Sequence, residues 1–278
     1  MSKICKNIIC GEKYFFITKS NELICKTFEK AELLLEECID FDAVCDDDGI
    51  HIAAVLDSGK VVYIRCVKSR WGMGDVSENF KAENLFIHTK NGEVKIFFVS
   101  EKKLFSQKLD TKINKAELID EISSDALPFA VGETVFYVNR DGNLCQSGVG
   151  EIYEGTDISY IFATENEICI KDGDRLMLLS RADAGNQQIL TRRHEKNAFC
   201  PVLAKTDEYQ VLCWCDENEV FWAKRRDEKW QRIETFIPEN VDFLGIFKFD
   251  GVYDLGCVKE GTTFALNVKK SSDYSEEM

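Results

Sequence analysis

The chain has 278 residues, of which 45% are hydrophobic and 11% aromatic, and its formal net charge is −14 at pH 7. The apolar content is typical of a folded protein with a packed core and argues against disorder. The negative charge disfavours nucleic acids and anionic membranes as partners, because both are recognised through cationic surfaces. A protein or peptide partner with a basic segment suits this charge better.

Seven strand-like hairpins follow one another along the chain with a period of about forty residues. In each, an apolar run meets a short polar turn and then a second apolar run. The paired runs are 14–17 with 23–25, 52–55 with 61–64, 94–99 with 104–105, 135–138 with 144–145, 168–170 with 176–179, 211–214 with 220–222, and 252–258 with 264–266. A repeat of this length with several strands per unit predicts a stack of similar sheets.

Two further candidate strands flank each hairpin, and we name the strands of each unit a to d from the inside outward. Segments 30–38 and 114–123 have good helix propensity when considered alone. Their place in the repeat nevertheless predicts outer strands. Segment 3–9 is a candidate strand a of the first unit or a strand that closes a ring beside the last unit. The sequence does not decide between these roles.

The repeat resembles the seven-bladed β-propeller superfamily over almost the whole chain, which implies an all-β fold of four-stranded antiparallel blades. The Trp-Asp dipeptide of WD40 repeats is missing, as are the Gly-Gly pair of kelch repeats and the sialidase-type box. The resemblance therefore implies an architecture and no catalytic residues. We expect residues 1–270 to form one domain and residues 271–278 to be a disordered polar tail.

Six of the 12 cysteines occupy places that other units give to apolar residues. They are Cys25, Cys66, Cys145, Cys169, Cys213 and Cys257. Because free cysteine packs as a small hydrophobe, we interpret them as reduced core thiols. The N-terminus lacks a secretory signal, and no apolar run reaches the ~20 residues needed to span a bilayer. We therefore expect a cytoplasmic protein without a membrane partner.

Every predicted a–b loop carries a carboxylate. The candidates are Glu12, Asp47 within 46–48, Glu93, Glu133, Glu167 with Glu165, Glu208 with Asp207, and Asp250. Propeller topology would place these loops on one face, around the mouth of the channel. The hypothesis is an acidic ring that attracts a cation or a basic protein segment. The alternative is that acidic residues simply suit turns in an acidic protein.

Two basic or aromatic clusters are further binding candidates. Arg192, Arg193 and His194 lie in a predicted loop on the opposite face and could bind a carboxylate or phosphate. Arg70 and Trp71 lie in a predicted loop, where an exposed tryptophan beside an arginine is typical of interface hot spots. Trp71 could equally fold back against the edge of its sheet. No cofactor or metal site is predicted from the spacing of the histidines and cysteines.

These observations favour a non-enzymatic propeller that acts as a scaffold for a protein or peptide partner. The alternative is a hydrolase or lyase with an acidic site at the channel mouth, since aspartate and glutamate can supply an acid and a base. No two of these carboxylates can be paired from the sequence. A carbohydrate-binding propeller is less favoured, because the four tryptophans do not recur at one position per unit.

Overall fold

The structure is a computed structural model in which every regular element of the described residues is a β-strand. It describes residues 7–77, 80–109, 115–123, 126–182, 187–189, 198–205, 210–216, 219–226, 229–230, 234–236, 243–249, 252–259 and 262–265. Among these residues no helix has the length and apolar character required to cross a bilayer. The fold is therefore all-β over the described part of the chain.

Four-stranded antiparallel sheets follow one another in chain order. Sheet 2 contains β5 (Cys38–Asp46), β6 (Gly49–Leu56), β7 (Val61–Val67) and β8 (Arg70–Ser77). Sheet 3 contains β9 (Glu83–Lys90), β10 (Glu93–Ser100), β11 (Lys103–Leu109) and β12 (Glu117–Glu121). Sheet 4 contains β13 (Phe129–Val131), β14 (Thr134–Val138), β15 (Leu144–Gln146) and β16 (Gly150–Tyr153). Sheet 5 contains β17 (Ile158–Ala163), β18 (Glu167–Asp172), β19 (Arg175–Ser180) and β20 (Gln187–Ile189).

The remaining two sheets are larger. Sheet 6 contains β21 (Ala198–Lys205), β22 (Gln210–Asp216), β23 (Glu219–Arg226), β24 (Lys229–Trp230) and β25 (Glu234–Phe236), with β24 and β25 both paired to β23. Sheet 1 joins the two ends of the chain. Its strands are β1 (Asn7–Cys10), β2 (Lys13–Ile17), β3 (Leu23–Lys26), β4 (Ala31–Leu35), β26 (Phe243–Phe249), β27 (Val252–Lys259) and β28 (Thr262–Ala265).

Strand β1 fills both roles that the sequence left open for the N-terminal segment. It pairs antiparallel with β2, with Ile8 opposite Phe15, and parallel with β26, with Ile8 opposite Lys248. Each edge of β1 thus meets a strand from a different end of the chain. Backbone hydrogen bonds to β1 therefore join the first and the last strands of the chain in one sheet.

The two segments with helix propensity are strands, as the repeat predicts. Residues 31–35 form β4 beside β3, and residues 117–121 form β12 beside β11. Propensity differs by only a few tenths of a kcal/mol per residue among helix-forming side chains, so a paired neighbouring strand overrides it.

The core lies between the sheets. Phe15, Leu23, Phe41 and Ile64 belong to one cluster between sheets 1 and 2, and a second cluster fills the space between sheets 2 and 3. A third extends from sheet 3 to sheet 6. Burying one such side chain contributes about 1.5–3 kcal/mol. Stacked, two-sided burial explains why the middle strands are apolar on both faces.

Four of the predicted core cysteines are buried and free. They are Cys25, Cys66, Cys145 and Cys169, which confirms their interpretation as packed thiols. Burial raises the pKa of Cys25 and of Cys145 to about 11, so both are protonated at neutral pH. The side chains of Cys213 and Cys257 lie outside the described part of the structure.

Two carboxylates on β5 accept hydrogen bonds from backbone N–H groups of β9, the inner edge strand of sheet 3. The Oδ2 atom of Asp40 accepts the backbone N–H of Leu85 at 2.8 Å, and that of Asp42 accepts the N–H of Ile87 at 3.0 Å. An edge strand leaves such donors unpaired within its own sheet. Asp40 and Asp42 therefore tie sheet 2 to sheet 3 through the backbone.

Candidate functional site

Most of the predicted carboxylates lie in the turns that join strands a and b or are the first residue after such a turn. These turns are formed by residues 11–12, 47–48, 91–92, 132–133 and 164–166 in sheets 1 to 5. The turns that join strands c and d lie at the same end, because neighbouring strands are antiparallel. We call this end of the sheets the a–b face. It presents two turns from each fully described sheet.

Neighbouring sheets meet at the a–b face. A Cβ atom placed on Gly92 of sheet 3 would lie 3.8 Å from Oδ2 of Asp48 in sheet 2. The ammonium of Lys90 in sheet 3 lies 2.7 Å from Oε2 of Glu133 in sheet 4. The turns therefore form a continuous surface from sheet 2 to sheet 4.

Two of the predicted carboxylates form exposed ion pairs. Lys108 donates to Oε2 of Glu93 at 2.9 Å within sheet 3, and this hydrogen bond raises the pKa of Lys108. The hydrogen bond and charge of Lys90 lower the pKa of Glu133. Because both pairs are open to solvent, they are screened by salt. The negative charge of these two turns is thus balanced locally.

Glu167 forms a less exposed link between sheets 5 and 6. The guanidinium of Arg225 on β23 lies 2.7 Å from Glu167, and their side chains are only 17% and 14% exposed. Arg181 adds a link between sheets 5 and 4, since it donates to the carbonyl of Thr164 at 3.1 Å and to Oγ1 of Thr134 at 3.4 Å. We call Glu93, Glu133 and Glu167 with their cations the paired sector.

Sheets 1 and 2 each leave one carboxylate of the a–b turn open. Glu12 and Asp47 are exposed, and among the described residues neither has an ion-pair partner. Phe28, at the tip of the turn between β3 and β4, is fully exposed. We call Glu12, Phe28 and Asp47 the open sector. It combines unbalanced negative charge with an aromatic side chain in water.

Asp46, beside the open sector, takes part in a buried network that the sequence does not reveal. Its Oδ1 lies 3.0 Å from Nε2 of His51, and Nδ1 of His51 lies 2.5 Å from the hydroxyl of Tyr63. An ionised carboxylate only accepts, so Nε2 carries a proton, and in the neutral imidazole Nδ1 then accepts from the tyrosine hydroxyl. The one signal in the sequence is a histidine inside an apolar strand that starts directly after an acidic turn.

The network shifts the pKa values of Asp46 and Tyr63. Burial opposes ionisation of Asp46, but hydrogen bonds from His51 and from the backbone of Asp48 and Gly49 outweigh it and lower its pKa. Burial raises the pKa of Tyr63. The imidazole of His51 is 3% exposed, so it reaches other groups only through its two neighbours. The imidazole of His51 can therefore hold a proton, but it cannot exchange that proton directly with solvent.

Arg70 and Trp71 do not lie in a loop, which corrects the prediction. Lys68 and Ser69 form a two-residue turn with φ of 48° and 63°, and Arg70 begins β8. Trp71 packs edge-on against Phe15 with ring centroids 6.3 Å apart. Nζ of Lys13 lies 5.7 Å from its ring centroid. Trp71 therefore folds back against sheet 1, while Arg70 is exposed.

Five candidates lie outside the described residues. They are Arg192, Arg193, His194, Glu208 and Asp250. Within the described part of the chain, no group of three or more histidine, cysteine, aspartate or glutamate side chains could hold a metal ion.

Comparisons with known proteins identify the fold. No protein-family model and no curated protein matches the chain. Among solved structures, the β-propeller domain of Cps50 (Swd1) from Myceliophteria thermophila has a TM-score of 0.61 at 11% identity, covering 95% of this chain and 97% of that one. YCF48 bound to D1 peptide has a TM-score of 0.60 at 10% identity, covering 95% and 93%.

The chain has a β-propeller architecture. A post-proline cleaving enzyme from Rickettsia typhi is also similar, with a TM-score of 0.53 at 10% identity over 90% of this chain. The match covers 49% of that enzyme. Since a protein bound to a peptide and an enzyme share the propeller, the fold alone does not distinguish between these roles.

Proposed function

We propose that the chain is a seven-bladed β-propeller that binds a protein or peptide partner through the open sector of its a–b face. The blade count is supported by the parallel junction between β1 and β26, which divides sheet 1 into the antiparallel groups β1–β4 and β26–β28. Sheets 2 to 6 supply one blade each. The ring then closes where the two ends of the chain meet.

The observation that carries the binding role is the full exposure of Phe28 on the face that also presents the open carboxylates Glu12 and Asp47. Binding is favourable when a partner covers an aromatic ring that is exposed to water. Aromatic side chains are also enriched at interface hot spots. Glu12 and Asp47 would attract basic side chains of that partner. The buried free thiols suit a reducing compartment, so we place the protein in the cytosol.

The similarity to YCF48 supports the same role, because that structure is described as bound to a peptide. The partner proposed for the present chain is a segment with basic side chains around an apolar one. The apolar side chain would cover Phe28, and the basic ones would face Glu12 and Asp47.

The hydrolase or lyase alternative has one observation in its favour, the network of Asp46, His51 and Tyr63. Such a network could relay a proton in acid–base catalysis. Its imidazole is nearly inaccessible, so the binding role has the better support. Turnover of a peptide or ester substrate that is abolished by His51→Gln in a folded variant would favour the enzyme instead.

The test places a photocrosslinking amino acid at position 28 of the full chain expressed in cells. The matched control carries it at Ser58, an exposed position in the turn between β6 and β7, at the opposite end of the sheets. We expect one protein to crosslink at position 28 and not at position 58. Equal patterns at both positions, or no crosslink at position 28, would contradict the proposal.

A further inference from the structure

The outer edge of sheet 2 differs from the other outer edges. Strand β8 has 8 residues, whereas β4 and β12 have 5 each, β16 has 4 and β20 has 3. It pairs with β7 from Arg70 opposite Val67 to Ser77 opposite Val61. On its other side, no strand of the described chain pairs with it. A long edge of this kind presents backbone donors and acceptors to another chain.

The middle of β8 lacks the features that usually protect an edge. Gly72, Met73 and Gly74 are all exposed and uncharged, and Met73 is 59% exposed. By contrast, β4 carries Glu32, and β12 carries Glu117, Asp120 and Glu121. Charged side chains on an edge strand discourage pairing with another strand. The edge of β8 is therefore the longest among the outer strands compared, and its middle is uncharged and open.

The two glycines leave the backbone of β8 accessible. A Cβ atom added to Gly72 or Gly74 would meet no heavy atom within 4 Å, and neither residue lies in the left-handed region. Packing and backbone conformation therefore do not require glycine at either position. What the glycines provide is an open approach to the edge, as strand addition needs.

The charges at the two ends of β8 are unequal. Lys68 and Arg70 at its beginning are exposed, and no ion pair of theirs occurs within the described residues. At the other end, Asp75 is paired with Lys60 at 2.7 Å and is neutralised. A strand that pairs with β8 would therefore meet uncompensated positive charge at one end only.

We propose that β8 accepts an extended peptide segment of a partner protein, which adds to sheet 2 as a further strand. The segment carries carboxylates beside Lys68 and Arg70 and an apolar side chain over Met73. If it runs antiparallel to β8, the carboxylates lie at its C-terminal end. A second copy of the chain is less suited, because the one carboxylate of its own β8, Asp75, is already paired with Lys60 and is not free to meet Lys68 and Arg70.

The probe is a fluorescein-labelled peptide of alternating threonine and valine with glutamates at its C-terminal end. Its controls carry the glutamates at the N-terminal end, or lysines in their place. Anisotropy with the full chain should show tightest binding for one of the two acidic peptides and weaker binding for the lysine peptide. Hydrogen exchange should slow at the amides of residues 70–77 when the tighter-binding acidic peptide is bound.

Backbone pairing is tested with two N-methylated versions of the tightest peptide, methylated at odd or at even residues. Strand addition uses the amides of alternate residues only, so one version should lose binding and the other should keep it. Equal binding of both versions would overturn the proposal, because side-chain contacts alone do not distinguish them. No binding of either acidic peptide would also overturn it.

The first protein variant is Arg70→Gln. Its matched control is Lys102→Gln, in the exposed turn between β10 and β11 of sheet 3, at the end away from the a–b face. Arg70→Gln should weaken binding about two- to five-fold, as expected for one exposed ion pair, and Lys102→Gln should not. A second pair of variants is Met73→Ser, which should weaken peptide binding because it removes the proposed apolar contact, and Leu33→Ser on β4, which should not. If sedimentation shows a dimer whose β8 amides are protected without peptide, the occupant is a second copy and the peptide proposal is wrong.

Discussion

The two sectors of the a–b face use the same residue type in different ways. In the paired sector, Glu133 and Glu167 each lie 2.7 Å from a cation on a neighbouring sheet. In the open sector, Glu12 and Asp47 occupy equivalent turns but have no ion-pair partner within the described residues. A repeated carboxylate is thus a link between sheets in one half of the face and exposed charge in the other.

The difference depends on what the neighbouring sheet presents. Lys90 ends β9 beside the turn of Glu133, and Arg225 lies near the end of β23 beside Glu167. Where the cation lies on a neighbouring sheet, the carboxylate links the two sheets. Where none is in place, its charge is available to a partner. The predictions below separate these two uses.

The largest effect is expected from breaking the link between sheets 5 and 6. Arg225→Met leaves Glu167 largely buried and without this cation, which should lower the free energy of unfolding by about 2–4 kcal/mol. Urea denaturation followed by tryptophan fluorescence measures the change. The double variant with Glu167→Gln should recover part of the loss, since it removes the unpaired charge. A single variant as stable as the native chain would contradict the structural role.

A second large effect is expected at Asp172, between sheets 4 and 5. Its carboxylate accepts the hydroxyl of Tyr153 at 2.8 Å and the N–H groups of Thr156 and Asp157 at 3.0 and 2.7 Å. Burial opposes its ionisation, but these hydrogen bonds outweigh burial and lower its pKa. Asp172→Asn should therefore lower the free energy of unfolding by about 1–3 kcal/mol at neutral pH.

The contribution of Asp172 to stability depends on pH. A carboxyl with a lowered pKa in the folded state stabilises the fold above its unfolded pKa, close to 3.8, and this contribution falls away below that value. The difference between the native chain and Asp172→Asn should therefore shrink as the pH falls below about 4. Asp57→Asn, in an exposed turn, is the control and should change little. A difference that stays constant with pH would contradict the role of the carboxylate.

Much of the fold is predictable because it is local. Each hairpin combines two apolar runs with a short polar turn, and this pattern alone predicts the strands b and c. The strands over residues 31–35 and 117–121 are predicted only when the repeat is weighed above helix propensity. The position of the carboxylates in, or directly after, the a–b turns of sheets 1 to 5 also follows from the aligned repeat.

The partners of those carboxylates are not predictable in this way. Glu167 and Arg225 are 58 residues apart in the sequence, and Lys90 and Glu133 are 43 apart. Which cation meets which turn depends on how neighbouring sheets pack, and the pattern within one unit carries no information on this. The same holds for Trp71, whose contact with Phe15 joins two sheets. The division into two sectors therefore emerges only in three dimensions.

A smaller effect is expected at the exposed pair of Lys90 and Glu133. Lys90→Gln removes the hydrogen bond and charge that lower the pKa of Glu133, so this pKa should rise toward its ordinary value of 4.5. A carboxyl-detected NMR titration measures the shift, and the unfolding midpoint should hardly move because both side chains of the pair are exposed. Lys30→Gln is the control and should leave Glu133 unchanged. A Glu133 titration that is the same with and without Lys90 would contradict the pairing.

The smallest effect on stability is expected in the open sector, where the change should instead appear in binding. Combining Glu12→Gln with Asp47→Asn removes no ion pair of the described structure, so the free energy of unfolding should stay within about 0.5 kcal/mol of the native value. Binding of the partner captured at position 28 should weaken about two- to ten-fold, since two exposed charges are lost. Glu93→Gln is the matched control, because Lys108 already balances that carboxylate. If Glu93→Gln weakens binding and the double variant does not, the partner uses the paired sector, and the open carboxylates are only turn residues.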